Sequence, residues 1–305
     1  MTVHFYDVGQ ALAALVDLPD GSRIVVDTGE APRRSRCGGA RCDARGLVSK
    51  LWADVRLAPI SLVWVTHQHA DHIGGAPDVL AAFRVGAYAD NGRDERKPEV
   101  LRAHRVAHDR GVVAYVVDPA HSDVPLADSP GVHLRAIVPP VWPASCAIDP
   151  NECSIGLRID FCASSVLFTG DAEHGEEKTI DPGGPVTLLQ VAHHGSETST
   201  TPAFLAKAKP KYAVISAGSP NEGTNRDYCH PRAIIVERLT RLLPGPRSKS
   251  IRAFDGARCD HASPDDWVDV ASSDNLWATE RDGDVVLTTT GDGTFVRRPS
   301  RGPGR

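Results

Sequence analysis

The sequence lacks any run approaching the about 18 apolar residues that a membrane helix needs. It also opens on a strand-like pattern, without the basic and apolar segments of a signal peptide. These absences predict a soluble chain with no export address, cytoplasmic by default. Positive charge is not in excess either. A formal net charge of -5 over 305 residues supplies no global field for nucleic acid, so phosphate binding would have to come from local clusters. Internal repeats and low-complexity tracts are missing. What remains, 41% hydrophobic and 24% charged residues, can bury one large core or two smaller ones.

The seven cysteines pull against the cytoplasmic default. Cys37/Cys42 and Cys146/Cys153 are closely spaced in loop-like sequence and suit disulfides if the chain is exported. Cys162 falls in a strand-like run, and Cys229 and Cys259 lie toward the C-terminus. A structural zinc on Cys37 and Cys42 would need two more ligands, and none stands nearby.

Apolar alternation predicts strands in "TVHFYDVG", "LAALVDLPDGSRIVVDTG" and "ISLVWVTH", with a hairpin turn at Asp20-Gly21. Helices are expected over Pro77–Phe83 and Pro98–Asp109. "GVVAYVVD" and "GVHLRAIVPP" return to strand. A second half has the same rhythm: "IGLRIDFCASSVLFTGD", "VTLLQVAHHGS", a helix at Pro202–Ala208, "YAVISAG" and a helix at Pro231–Leu243. The final "LWATERDGDVVLTTTGDGTFVRR" reads as a hairpin closing the second sheet. Two sheet-rich halves facing each other, one domain over residues 1–296 and a disordered basic tail over 297–305 are the expectation.

The chemistry-bearing stretch is "THQHADHIGG", Thr66–Gly75. His67 and His69 are two apart and project from one side of an extended segment. Asp71 and His72 follow where Gly74-Gly75 suggests a tight passage into a helix. Three imidazoles and a carboxylate at the end of a buried strand suit a borderline divalent metal, whereas without one they would concentrate desolvated polar groups lacking partners.

This stretch resembles the H-x-H-x-D-H signature of the metallo-β-lactamase superfamily. "LFTGD" at Leu167–Asp171 resembles that superfamily's metal-bridging aspartate, and "AHHGS" at Ala192–Ser196 its late histidine. Together with "HFYDVGQ", "NECS", "ISAG" and His230-Pro231, these segments are similar to the hydrolase domain of the ComEC/Rec2 competence proteins over about residues 3–290. The DNA-translocating membrane domains of those proteins have no counterpart in the sequence. The pattern departs in two places: Gly9-Gln10 is followed by Ala11-Leu12 rather than Gly-Asp, and Cys229 stands beside His230.

The resemblance implies an αββα sandwich of two mixed β-sheets packed face to face with helices outside. It also implies two divalent metal ions, zinc or alternatively manganese, about 3.5–4 Å apart with a bridging hydroxide. His67, His69 and Asp171 would hold one metal, and Asp71, His72, Asp171 and His194 the other. The first lacks a histidine that other members supply where this chain reads Asn151-Glu152-Cys153-Ser154, so Asn151 is a candidate replacement. His193 competes with His194, which is preferred because it precedes Gly195. Asp71 would take the proton from the nucleophile, and His230 would assist the leaving group or serve as a structural helix-start residue. Ser196 and Thr198 would bind substrate oxygens or cap the helix at Pro202. Gly170 and Gly195 would permit close backbone approach.

A metal-dependent phosphodiesterase or nuclease is the leading expectation. A lactonase or β-lactamase-like amidase acting on small molecules is the alternative, and a degenerate binding module the third reading. Single-stranded nucleic acid is a candidate partner through two basic, loop-like stretches, Arg33–Lys50 and Arg93–Arg110, which flank the metal motif. His104, His108, His121, His133, His174 and His261 are expected at the surface or singly bonded, and His4 in the core or supporting the site from behind.

Overall fold

Short alternating apolar runs build the sheets of the computed structural model, which describes residues 1–31, 45–94 and 96–300. The first strands are β1 (Thr2–Phe5), β2 (Ala13–Asp17), β3 (Arg23–Thr28), β4 (Ile60–Trp64), β5 (Val85–Asp90) and β6 (Val113–Val116). Then come β7 (Val132–Ile137), β8 (Gly156–Phe161), β9 (Ser164–Phe168), β10 (Leu188–Gln190) and β11 (Tyr212–Ile215). The last are β12 (Lys249–Phe254), β13 (Trp267–Ser272), β14 (Leu276–Ala278), β15 (Val285–Thr288) and β16 (Val296–Arg298). The helices are α1 (Arg45–Val55), α2 (Ala70–Ile73), α3 (Ala76–Ala82), α4 (Pro98–Asp109), α5 (His174–Glu177), α6 (Pro202–Ala208), α7 (Asn225–Tyr228), α8 (Ala233–Leu242) and α9 (Thr279–Asp282).

The first sheet runs β16-β15-β1-β2-β3-β4-β5-β6, parallel from β3 to β6 and antiparallel before it. The second runs β14-β11-β10-β9-β8-β7, parallel from β14 to β9. The two-residue period of a strand decides which side chain meets which layer. Leu62 and Trp64 of β4 join Val166 and Phe168 of β9 in the core between the sheets. Val63 and Leu167 point the other way, into separate outer cores. Leu51, Leu80 and Ala103 from α1, α3 and α4 cover the first outer face; Phe204 and Leu239 from α6 and α8 cover the second. Each fully buried Leu or Phe contributes about 1.5–3 kcal/mol. The indole of Trp64 donates to Ile155 O at 2.9 Å, tying the two sheets beside the metal motif. This is the αββα layering expected from the sequence.

Several elements differ from expectation. The terminal strands close the first sheet, because β15 pairs antiparallel with β1 while only β14 joins the second, beside β11. β16 runs to Arg298, past the expected domain boundary at 296. The last long helix starts at Ala233, two residues late. Residues 45–50 of the basic stretch Arg33–Lys50 are helical, and Arg33, Arg34, Arg36 and the Cys37/Cys42 pair lie outside the described residues. Most of Arg93–Arg110 is α4. Cys162 sits in the tight turn between β8 and β9 with a φ of 52°. Among the described residues two disulfides form, Cys146–Cys153 and Cys229–Cys259, so Cys229 is no free thiol beside His230. Among the described residues no helix is long and apolar enough to cross a membrane.

Candidate metal centre

Parallel strands end together at one rim, and every candidate ligand leaves a strand end there. The chain beyond β4 carries His67, then His69, and turns into α2 with Asp71 and His72. The chain beyond β9 carries Asp171, and a 3-10 turn after β10 carries His193 and His194. Gly170 takes a φ of +57°, and a Cβ there would lie 2.6 Å from that of Thr66. That close approach brings Asp171 against the histidine motif. At Gly195, φ +83°, a Cβ would meet Pro231 at 2.8 Å, which keeps the His193-His194 turn beside His230.

Asp171 Oδ2 is the hub. It lies 3.2 Å from His72 Nε2, 3.5 Å from His194 Nε2, 3.9 Å from His193 Nε2 and 4.0 Å from His67 Nε2. His194 Nε2 is 3.2 Å from Asp71 Oδ2, and His67 Nε2 faces His69 Nδ1 at 3.1 Å. One ligand atom each from Asp71, His72, Asp171 and His194 falls within 4.8 Å of the others. Despite this crowding, His72 Nε2, His194 Nε2 and Asp171 Oδ1 are buried without a hydrogen-bond partner. Buried polar atoms are almost always paired. A donor set of unpaired imidazole nitrogens and carboxylate oxygens converging on one point fits a divalent cation.

The back of the site was not singled out in the sequence. Asp27, fully buried at the end of β3, accepts from His72 Nδ1 at 2.7 Å. The same carboxylate accepts from the Thr66 hydroxyl at 2.7 Å, and that hydroxyl in turn accepts from His67 Nδ1 at 3.2 Å. One aspartate therefore fixes both rings with Nε2 toward the centre. His194 is fixed likewise, its Nδ1 donating to Ser216 O at 2.6 Å. The signal available was the strand-end "VVDTG", whose aspartate takes a φ of 53°.

Electrostatics agree with a cationic occupant. Burial pushes the His67 ring well toward its neutral form. Burial also works against a charged His72, but the Asp171 and Asp27 carboxylates outweigh it and raise its pKa. Asp71 and Asp171 would be pushed up by burial, yet the neighbouring imidazoles hold both below the usual carboxylate range. A divalent cation would displace the proton these carboxylates otherwise keep on His72, so its binding must weaken in acid.

In front of this cluster lies a cavity of about 490 Å³, lined by His69, Asp71, Asp171, His194 and His230 among others. His230 is buried; its backbone N–H donates to Asn225 Oδ1 at 2.8 Å, and its carbonyl accepts from Asn225 Nδ2 at 2.6 Å. Gly218 N donates to Gln10 Oε1 at 3.0 Å, which orients the Gln10 amide so that its nitrogen meets His230 Nδ1 at 3.4 Å. Nδ1 thus accepts, and the neutral ring, kept so chiefly by burial, carries its hydrogen on Nε2.

The remaining expectations sort by geometry. Thr198 Oγ1 donates to Glu173 at 2.9 Å and contacts Ser196 Oγ at 2.9 Å, while α6 is capped by Thr201; neither Ser196 nor Thr198 caps it. Of Arg93–Arg110, Lys97 reaches the cavity wall, where its ammonium pairs with Asp94 at 2.9 Å. His104 pairs with Asp90, His121 with Asp118 and His133 with Asp128, all away from the cavity. His4 lies between Asp17 and Asp54.

Residues 6–219 match the family model described as the Metallo-beta-lactamase superfamily. The chain is 30% identical to Recombination protein 2 of Haemophilus influenzae over 77% of its own length and 26% of that protein. It is 27% identical to ComE operon protein 3 of Bacillus subtilis over 78% of its length and 30% of that protein. It therefore spans less than a third of these curated relatives. It is also 29% identical to Ribonuclease Z of Mycobacterium avium, over 42% of this chain and 50% of that one.

Proposed function

The chain belongs to the metallo-β-lactamase superfamily, and from that premise we propose that its cavity is a two-metal hydrolytic centre acting on phosphodiesters. The observation that carries this reading is the set of buried, unpaired ligand atoms around Asp171. His67 Nε2 and His69 Nδ1 would hold one ion, and Asp71, His72 and His194 the other, with Asp171 between them. When bound, the two cations supply an activated water and neutralise charge on the reacting group.

The protein's own residues do the rest. Asp71, its side chain 25% exposed, borders the cavity and accepts a proton from the attacking water. His230 Nε2–H, fixed by Gln10, donates to the leaving oxygen. The likeness to a protein named Ribonuclease Z supports a phosphodiester substrate. The cavity wall favours a second reading: apart from the ligands, it carries, among the described residues, Glu30, Glu99, Asp149 and Glu173 against one cation, Lys97. That balance suits a small ester or lactone better than a long polyanion. The Cys146–Cys153 and Cys229–Cys259 disulfides favour an oxidising compartment, hence export.

Metal content measured together with a panel of bis-p-nitrophenyl phosphate, single-stranded DNA, a lactone and nitrocefin tests the proposal. Metal-dependent turnover of the two phosphodiesters is expected, with DNA cleavage falling steeply with salt. Turnover of the lactone or nitrocefin alone would establish the second reading.

A further inference from the structure

Resting on that two-metal reading, we infer that His193 is the third protein imidazole of the first metal, supplying from the turn after β10 the ligand that the segment around Asn151 lacks. The two halves of the centre are unequal without it. The second half has Asp71, His72 and His194 beside Asp171, whereas the first has His67 and His69. A hydrolytic zinc keeps three protein ligands and one open position.

Three observations support that assignment. First, its Nε2 lies 3.9 Å from Asp171 Oδ2, nearly the 4.0 Å that separates His67 Nε2 from the same oxygen. Two atoms bound to one ion through bonds of about 2.1 Å stand roughly 3–4 Å apart. Second, the far side of the ring is anchored as the other ligands are. His193 Nδ1 stands 2.9 Å from Glu173 Oε1, an ion-pair contact on the side of the ring where His72 meets Asp27 and His194 meets Ser216. This contact favours the hydrogen on Nδ1 and leaves Nε2 the acceptor, the atom that takes the Asn151 amide at 3.5 Å and would take a cation in its place. Thr198, donating to the same Glu173 oxygen at 2.9 Å, holds that carboxylate in place. Third, His193 and His194 both take left-handed backbone conformations, with φ 48° and 53°. Such strain in consecutive non-glycine residues persists where surrounding structure enforces it, as at functional sites. Here it turns both rings to Asp171.

Asn151 then has a different task. Its side-chain nitrogen bridges Glu173 at 3.4 Å and His193 Nε2 at 3.5 Å, so it lies beside the ligand and supports its carboxylate.

Zinc titration of the chelator-stripped protein against a chromophoric competitor tests this directly. The unaltered chain should take up two zinc ions. His193→Ala should keep one at its original affinity and bind the other at least about 10²-fold more weakly, and Glu173→Gln should weaken that same ion by about 10–100-fold. Asn151→Ala should still bind two tightly. Circular dichroism of the stripped variants establishes that they fold, and Glu173→Gln carries the test if His193→Ala does not. Two zinc ions at original affinity in His193→Ala, or loss of the first ion in Asn151→Ala alone, would overturn the assignment. An unaltered chain that takes up no zinc, manganese or cobalt would instead defeat the two-metal reading on which it rests.

Discussion

The two halves of the proposed centre share Asp171 and a backing residue, Asp27, but differ in how their walls are made. In the second half, His72 and His194 are buried and end on Asp27 and a backbone carbonyl, inside the sheets. In the first half, His69 is half-buried, and the opposite wall is the 146–153 segment, closed on itself by a disulfide. Under the two-metal reading, the difference teaches that a ligand position can be vacated on one wall while the bridge and its backing stay put. What both halves share should therefore be the more costly to lose.

The largest effect is expected at the bridge. Asp171→Ala removes the oxygen around which four imidazoles stand, and should take metal from about two ions per chain to none, with complete loss of hydrolysis. Elemental analysis of the purified variant measures it. A variant with one firmly held ion would show that the halves are independent.

Asp27 comes next. Its carboxylate fixes His72 directly and His67 through Thr66, one ring in each half. Asp27→Asn presents an amide nitrogen to groups that need an acceptor, so both ions should weaken by about 10–100-fold. Competition titration that finds only one ion affected would sharpen the comparison by assigning Asp27 to a single half.

That this residue escaped a reading of the sequence has a physical reason. Helices α4 and α6 were legible to the residue because proline at the first turn and a clean apolar stripe are local signals. The H-x-H-x-D-H run was legible because its spacing is local too. Asp27 sits in an alternating strand, and nothing near it in sequence announces Thr66 or His72, more than 35 positions on. The placement of β15 beside β1, the Cys229–Cys259 disulfide and the β12–β13 hairpin depend equally on distant partners. The site's front, His193 included as the rival of His194, was legible, and its back was not.

His230 stands before the ligand cluster rather than behind it, and its loss should leave metal content unchanged. His230→Ala should lower kcat by about 10²–10⁴-fold on esters with poor leaving groups, with little effect on activated nitrophenyl esters. Gln10→Leu removes the amide that fixes the ring, and should follow the same pattern more weakly. Equal losses on both ester types would make His230 a structural residue.

The smallest effect contrasts the centre with a buried carboxylate lacking imidazoles. Glu280, on α9, has one side-chain oxygen buried without a hydrogen-bond partner. Burial, only partly offset by Arg281, pushes it from its ordinary 4.5 up to about 7. Between those values the folded chain holds a proton that the unfolded chain has released, so stability falls as pH rises through that window. Glu280→Gln stays neutral and lacks this slope. Its melting temperature relative to the unaltered chain should therefore climb by a few degrees from pH 5 to pH 8. Thermal unfolding of the chelator-stripped proteins separates this from metal binding. A flat difference across that range would mean that Glu280 ionises in the folded chain as it does in water, and that burial alone does not set the carboxylates of the centre apart.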